Sequence, residues 1–547
     1  MAKKKKNKNP RPAPAAVAPP SPPVASADAP PPAEVRADAT SAHDPALRGY
    51  ASVVAFVAGG CLMVLEVTAS RVLAPEFGNT VYLWSAIIGM ILAALSLGYR
   101  LGGFLAASGD RLARLVALSA GTGMAVAVVP PLSGPLLSAL APTMSPEGGA
   151  MVATFLLFFL PSALIGALSP VTVKVLAEAG VEVGQASGRI SALGAMGSIL
   201  GTFATGFVLL PNFGTRFILV TIALVMAGLA GSGALFARSR RALGVAGVAA
   251  ALALALGAVD LRAAPPDTVL FEEEGFYHRV RVLEYPTGRG RVRMLKLDST
   301  AEGAMAVDGS FMPFWYTRFV DLAPLFLTEP KSAAFVGGGA FSMPKRFADI
   351  YPEAKIDVYE LDPKVVEVGR TFFGLDDYAA IEAVTGDARR ALAERDRSYD
   401  LVFGDAYDGV QWVPFHLATR EWYALVAGHL TEDGVYMANL ISSLDPDRGR
   451  FFYATLRTLE DVFGHVRVFA RSRDPGASQN LVVVARRTPF RDPEAFQRLA
   501  RDLGLGRLAA QLLPESAYRP GLDAAEPLTD DYAPVEAMIS ASRSAGS

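Results

Sequence analysis

From about residue 50 to 259 the chain is a succession of apolar runs of 18 or more residues. Each is long enough to cross a hydrocarbon core of ~30 Å. The pattern predicts seven helices, at 50–74, 81–106, 113–132, 150–173, 188–210, 216–237 and 241–259. Small residues recur inside them, as in Gly194-Ala195-Met196-Gly197-Ser198 and between Gly228 and Gly233, which suits close helix packing in lipid. Pro161 and Pro170 predict kinks in the fourth. After residue 262 the long apolar runs end, and period-two segments and short buried runs alternate with helical text. The predicted strands are Arg279 to Glu284, Arg291 to Leu297, Ser332 to Val336, Lys355 to Glu360, Leu401 to Gly404, Gly434 to Leu440, His465 to Ala470 and Asn480 to Ala485. Helical patterns between the middle five give the βαβ signature of a parallel sheet. The expected fold is thus an α-helical transmembrane domain of about seven spans fused to an α/β Rossmann-like domain with a small N-terminal β portion.

The first stretch, Met1 to about residue 48, is Lys-rich and then Pro/Ala-rich with almost no bulky apolar residue. It cannot repay its ordering entropy and reads as a disordered tail. No apolar core follows its basic start, so it is not a secretory signal; it serves as a lipid anchor, a topology signal or a solubilising tail. Hydrophobic residues make up 51% and charged residues 19% of the chain, a balance that favours a membrane portion. With 51 basic against 53 acidic residues, the net charge of −2 excludes a nucleic-acid binder acting through bulk charge. The single cysteine, Cys61, excludes an internal disulfide and a Cys-built metal site, and the five histidines show no metal-ligand spacing.

Basic residues cluster in the N-terminal tail and in the even loops, as Arg111, Arg114, Lys174, Arg189, Arg238, Arg240 and Arg241, whereas the odd loops hold little beyond Arg216. The positive-inside rule makes the N-terminus cytoplasmic, and seven true spans then put the C-terminal domain outside. Supply of a nucleotide-type ligand argues for a cytoplasmic domain instead, with the Ala-rich seventh segment lying in the interface or pairing with another element. Glu66 and Arg71, in or at the end of the first span, have either a function or only each other as partners.

The candidate chemistry lies at strand ends. Strand Ser332 to Val336 runs into Gly337-Gly338-Gly339 before a helix, where a backbone can approach a ligand closely. The next strand ends in Glu360, 22 residues after Gly338, where an acid can accept ribose hydroxyls. Asp387 follows the next apolar pair and suits an adenine amine. Together they describe an adenosine site; ordinary capping acids are the alternative. The fourth strand delivers Asp405 and Asp408, two carboxylates able to face one cavity, one holding or deprotonating an amine and the other steadying a sulfonium, or else merely capping the loop. Trp412 and Trp315 read as packing residues, with Trp412 also placed to cover a sulfonium.

Gly337-Gly338-Gly339, Val358-Tyr359-Glu360-Leu361-Asp362-Pro363, Gly386-Asp387 and Asp405-Ala406-Tyr407-Asp408, in this order, resemble the spermidine synthase (polyamine aminopropyltransferase) family. Leu65 to Arg71, Leu101-Gly102-Gly103 and Leu528 to Glu536 resemble its membrane-fused branch. The resemblance implies a methyltransferase-like Rossmann sheet ending in an antiparallel hairpin. Its implied divisions are a tail at 1–48, a helical domain at 49–260, an N-terminal β portion at 261–328 and a catalytic domain at 329–547. It implies Glu360 as ribose ligand, Asp387 as adenine ligand, Asp405 as the acid/base that receives the attacking amine, and Asp408 in the gate loop. Three positions depart from the family: Ala340 stands where an acid binds the aminopropyl amine, Thr317-Arg318 follows Tyr316 where a Gln and an acid are usual, and His278 replaces a Gln after Tyr277. The loss of an acid at Ala340 and the charge on Arg318 disfavour a polyamine and favour a carboxylate. The expected cosubstrate is therefore S-adenosylmethionine or its decarboxylated form, with no tightly bound cofactor and no metal. The partners expected are small-molecule substrates and the lipid bilayer, with no nucleic acid and possible homo-oligomers. The functions left open are aminopropyl transfer releasing methylthioadenosine, a lyase or cyclising reaction without an external amine, methyl transfer, and a transporter with a sensing domain.

Overall fold

The computed structural model describes residues 45–258, 268–407 and 412–544. The expected N-terminal tail and Asp408 lie outside the described residues. Among the described residues, seven helices are long and apolar enough to cross a membrane: α1 (Pro45–Phe77), α2 (Val81–Ala106), α3 (Arg111–Leu140), α4 (Pro146–Glu178), α5 (Val183–Asn212), α6 (Thr215–Phe236) and α7 (Arg240–Ala258). Several outrun their apolar windows because a polar side chain caps the first turn beyond them: Asp110 for α3, Ser145 for α4 and Glu182 for α5 each accept a backbone N–H. The prolines act as their chemistry requires. Pro161 and Pro211 each sit just past a π-helical turn, Phe155–Phe159 and Thr205–Leu209. The carbonyl four residues before each proline, the one its ring would strike, lies within that widened turn.

Glycines set the closest crossings. A Cβ on Gly59 would stand 2.1 Å from the Gly194 carbonyl oxygen, and one on Gly197 would stand 2.0 Å from that of Phe56. α1 and α5 therefore touch backbone to backbone there. Gly98 and Gly102 bring α2 equally close to Ala163 and Ala167 of α4. The Ala-rich α7 pairs with other elements, burying Ala246, Ala249 and Ala253 against α3 and α6.

Beyond the helices, β1 (Val269–Glu274), β2 (Arg279–Thr287), β3 (Gly290–Leu297) and β4 (Thr300–Ala306) form an antiparallel sheet in chain order. A second sheet holds β5 (Ser332–Val336), β6 (Lys355–Glu360), β7 (Ile381–Thr385), β8 (Tyr399–Gly404), β9 (Leu430–Ser442), β10 (His465–Ala470) and β11 (Gln479–Arg486), in the order β10-β11-β9-β8-β5-β6-β7. β9, β8, β5, β6 and β7 pair in parallel, and β11 runs against both its neighbours. This is the Rossmann-like sheet with its terminal hairpin. Helices α8 (Ser342–Ile350), α9 (Pro363–Phe373), α10 (Ala388–Ala393), α11 (Arg420–Gly428) and α12 (Arg450–Phe463) connect and cover it. β1, β4 and β7 were not expected as strands. β1 ends in three glutamates, β4 has Ala or Gly at four of its seven positions, and β7 is an edge strand of which no residue is fully buried. β1 and β4 lack the branched, half-buried alternation that marks a strand, and β7 has Ile381, Val384 and Thr385 but only five residues to show it in.

The α/β portion docks on one end of the helical bundle. The Arg71 guanidinium on α1 donates to the carbonyl oxygens of Tyr277 and Gly275, at 2.5 Å each. Glu274 accepts the first N–H of α6 at Thr215 (2.9 Å), and Glu536 accepts that of α2 at Val81 (2.8 Å). Gly78, in the α1–α2 turn, lies against the Trp412 indole, so Trp412 is buried in this junction. Arg71 thus turns its guanidinium to backbone carbonyls of the other domain.

Candidate active site

The register of the parallel strands decides what shares an edge. Val336 pairs with Tyr359 and with Gly404, and Glu360 pairs with Thr385, so β5, β6, β7 and β8 end together. The residues that follow them, Gly337 to Gly339, Asp387 and Asp405, with Glu360 itself, line a single cavity of about 890 Å³. β4 and the turn after it close the cavity from the side, with His278, Glu302, Tyr316 and Ala340 on its wall.

The turn after β5 can be made only without side chains. Gly337 has φ +96°, and a Cβ there would stand 2.3 Å from the Asp405 carbonyl oxygen. Gly338 donates its N–H to Glu360 Oε2 at 2.8 Å, and Asp362 donates to Oε1 at 2.9 Å. Burial raises the carboxyl of Glu360 above its ordinary value despite these two donors. Its oxygens thus tie the glycine turn to the end of β6. His278 Nδ1 lies 3.4 Å from Asp362 Oδ2, which holds the ring at the cavity wall.

Asp387 is both cap and wall. Its Oδ1 accepts from Arg390 N–H at 2.9 Å at the start of α10, and its Oδ2 lies 2.8 Å from His416 Nε2. Burial works against its ionisation, yet these partners outweigh it and hold the carboxyl below its usual value. Asp387 thus caps α10 and also lines the cavity. His416, which its sequence context did not single out, lines the same cavity.

Asp405 is the centre of a half-buried network. Asn439 Nδ2 donates to its Oδ1 at 2.8 Å and the Tyr316 hydroxyl to its Oδ2 at 3.2 Å. Asn480 in turn donates to Asn439 Oδ1 at 3.0 Å, which fixes the amide so that its nitrogen faces the acid. Burial, partly offset by these two donors, pushes the Asp405 carboxyl up to about 6. Such a group is ionised at neutral pH and poised to take a proton. Asn439 has a signal in the sequence, as the lone amide in the apolar run of β9. Glu302 on β4 has none. It is a further half-buried carboxyl, pushed up to about 7 by desolvation and by the neighbouring charge of Asp405, with Thr300 and His278 opposing.

One expected site residue is misplaced. Arg318 is exposed and is not among the residues lining the cavity. The 3-10 turn Tyr316–Leu322 points Tyr316 and Thr317 inward and carries Arg318 to the surface. Ala340 lies on the wall as expected, packed so close to β4 that a Cβ on Gly303 would stand 2.4 Å from its nitrogen. The cavity wall also includes Arg471, just past β10. Among the described residues no cluster of His, Cys, Asp and Glu could hold a metal.

No protein-family model matches the chain. A polyamine aminopropyltransferase of Vibrio vulnificus is 27% identical over 241 residues, 43% of this chain and 74% of that protein. A probable polyamine aminopropyl transferase of Bifidobacterium longum is 26% identical over 236 residues, 40% of this chain but only 50% of that protein. Among solved structures, a probable spermidine synthase of Corynebacterium glutamicum is 22% identical, covering 50% of this chain and 99% of that one at a TM-score of 0.42. The C-terminal half of the chain has polyamine aminopropyltransferases, which are transferase enzymes, as its homologues, and it is a divergent relative of them.

Proposed function

We propose that the chain is a membrane-spanning aminopropyltransferase that takes decarboxylated S-adenosylmethionine and an amine and releases 5'-methylthioadenosine. The observation that carries this reading is the half-buried Asp405, held by Asn439 and Tyr316 at the foot of a cavity whose other wall is the glycine turn and Glu360. In the step, the amine nitrogen attacks the aminopropyl carbon bound to sulfur and a C–N bond forms. The C–S bond breaks with its electron pair going to sulfur, so the sulfonium becomes a neutral thioether. The nitrogen sheds a proton, and Asp405 is the group placed to receive it. Glu360 and Asp387 suit the ribose and adenine of the cosubstrate, and His278 stands beside Glu360. Asp408, expected near the amine, lies outside the described residues.

The walls bear on the choice of cosubstrate. Arg318 no longer argues for a carboxylate in the pocket, and Glu302 adds an acid that suits the ammonium of the decarboxylated compound. Arg471 favours a second reading, in which the carboxylate of intact S-adenosylmethionine pairs with that guanidinium and a lyase or cyclising reaction follows. Incubation of the full chain with either compound, with and without putrescine, separates the two by mass spectrometry. A polyamine formed only from the decarboxylated compound and an amine establishes the transferase. Methylthioadenosine released from S-adenosylmethionine alone establishes the second reading, and S-adenosylhomocysteine would mean methyl transfer.

A further inference from the structure

The active-site cavity does not stop at the α/β portion. Val67, Ser70, Arg71 and Ala74 of α1 line it, together with Trp84 of α2 and Gly206 and Leu210 of α5. The four α1 residues follow i, i+3, i+4, i+7 spacing and so form one stripe. Two turns earlier the same stripe carries Gly60, whose carbonyl oxygen would lie 2.5 Å from a Cβ on Gly201. α1 and α5 are thus pinned together at Gly60 and Gly201 and part towards the catalytic end. The π-helical turn Thr205–Leu209 adds a residue to the helical register, carrying the stripe of α5 from Gly201 to Gly206 and Leu210. A Cβ on Gly206 would meet nothing within 4 Å, so the space between the helices is open there. Val67 stands ten residues before the end of α1 at Phe77, so the wedge runs about 15 Å into the helical domain.

The two halves of the cavity differ in chemistry. Asp298, Glu302, Glu360, Asp387 and Asp405 are the carboxylates among the described lining residues, and all belong to the α/β portion. The wedge offers Val67, Ala74, Gly206, Leu210 and the Trp84 ring beside two uncharged polar residues, Ser70 and Asn79. The Ser70 hydroxyl donates to the Val67 carbonyl, Asn79 Oδ1 accepts from the Trp84 indole, and Arg71 is engaged by two carbonyls. A second ammonium in the wedge would find no acid there, whereas a hydrocarbon chain would be buried at a gain. The outer face of α5 exposes Ile199, Leu200, Phe203 and Phe207, so a single helix separates the wedge from surrounding lipid.

We infer that the wedge between α1 and α5 holds the apolar chain of an amphiphilic amine, whose nitrogen reaches Asp405 while its tail lies in the helical domain. This rests on the transfer reaction proposed above. The test uses the full chain in nanodiscs, decarboxylated S-adenosylmethionine, and butyl-, hexyl- and octylamine beside putrescine, with free amine fixed by equilibrium dialysis. The expected result is a kcat/KM that rises up to about fourfold per methylene over the first few added, and a slope that flattens in Gly206→Leu and in Ala74→Leu. A flat series in the parent chain, or variants that keep its slope, overturns the inference. If no amine is turned over, the transfer reading fails by itself, and the wedge is then read by fluorescence quenching with a bromine-tailed alkylamine. Quenching that disappears in Trp84→Phe supports the wedge, and quenching that does not depend on Trp84 overturns it.

Discussion

Asp405 couples catalysis to stability in opposite directions. Its folded value of about 6 lies above the ordinary 3.8, so the stability it contributes is present below about pH 3.8 and is lost as pH rises through 6. The substitution Asp405→Asn should therefore abolish turnover, retain cosubstrate binding and raise the melting temperature at pH 8. The gain, up to roughly 3 kcal/mol, should vanish near pH 4, which thermal melts across that range would show. Glu302 adds a second consequence. With carboxyls near 7 and 6 facing one cavity, a cationic cosubstrate bound at pH 6.5 should expel about one proton. Calorimetry in buffers of different ionisation enthalpy measures that number, and zero released protons would remove Glu302 and Asp405 from the cation's surroundings. Both residues illustrate what sequence conveys. Asp405 follows a short apolar strand and is legible as a strand-end acid, while Glu302 sits in a strand of small residues that carries no strand pattern, and its depth becomes visible only when β4 packs on Gly339 and Ala340.

At the scale of elements, backbone contacts at glycines hold the helical domain. A side chain on Gly197 must displace the backbone of α1, so Gly197→Val should cost at least about 1–3 kcal/mol and lower the yield of folded protein. The same change at exposed Gly188, whose Cβ would meet nothing within 4 Å, should be nearly silent, and size-exclusion profiles of the two variants make the comparison. The apolar runs made all seven helices legible, and β5, β6 and β10 begin and end where their patterns do. The π turns were not legible, because they arise from Pro161 and Pro211 acting on carbonyls one turn back rather than from any periodicity. The edge strands β1 and β7 escaped for a related reason: each is short and half solvated, which leaves too few alternations for a period-two pattern to stand out.

For the whole molecule, the docking geometry fixes which helix ends face the catalytic portion. These are the ends at Phe77, Val81, Asn212 and Thr215, while Arg111, Arg114, Arg238, Arg240 and Arg241 gather at the opposite ends. If the basic ends face the cytoplasm, the catalytic portion stands on the other face, against the expectation drawn from ligand supply. Reporter fusions after Ser547 decide this: active alkaline phosphatase and dark green fluorescent protein are expected in a bacterial inner membrane. The reverse pattern would mean that the helices insert against their own charge.

The cavity wall contributed by Val67 to Trp84 and by Gly206 and Leu210 has a consequence in time. These residues leave the ribosome well before Asp405, Asn439 and Asn480, and a chain elongating at 5–20 residues per second needs tens of seconds to close that gap. The helical side of the site is therefore built first, as a half-mould with one open face. The sheet is then cast against it, so a chain that stalls before β11 leaves a greasy, unfinished cleft for quality control to find.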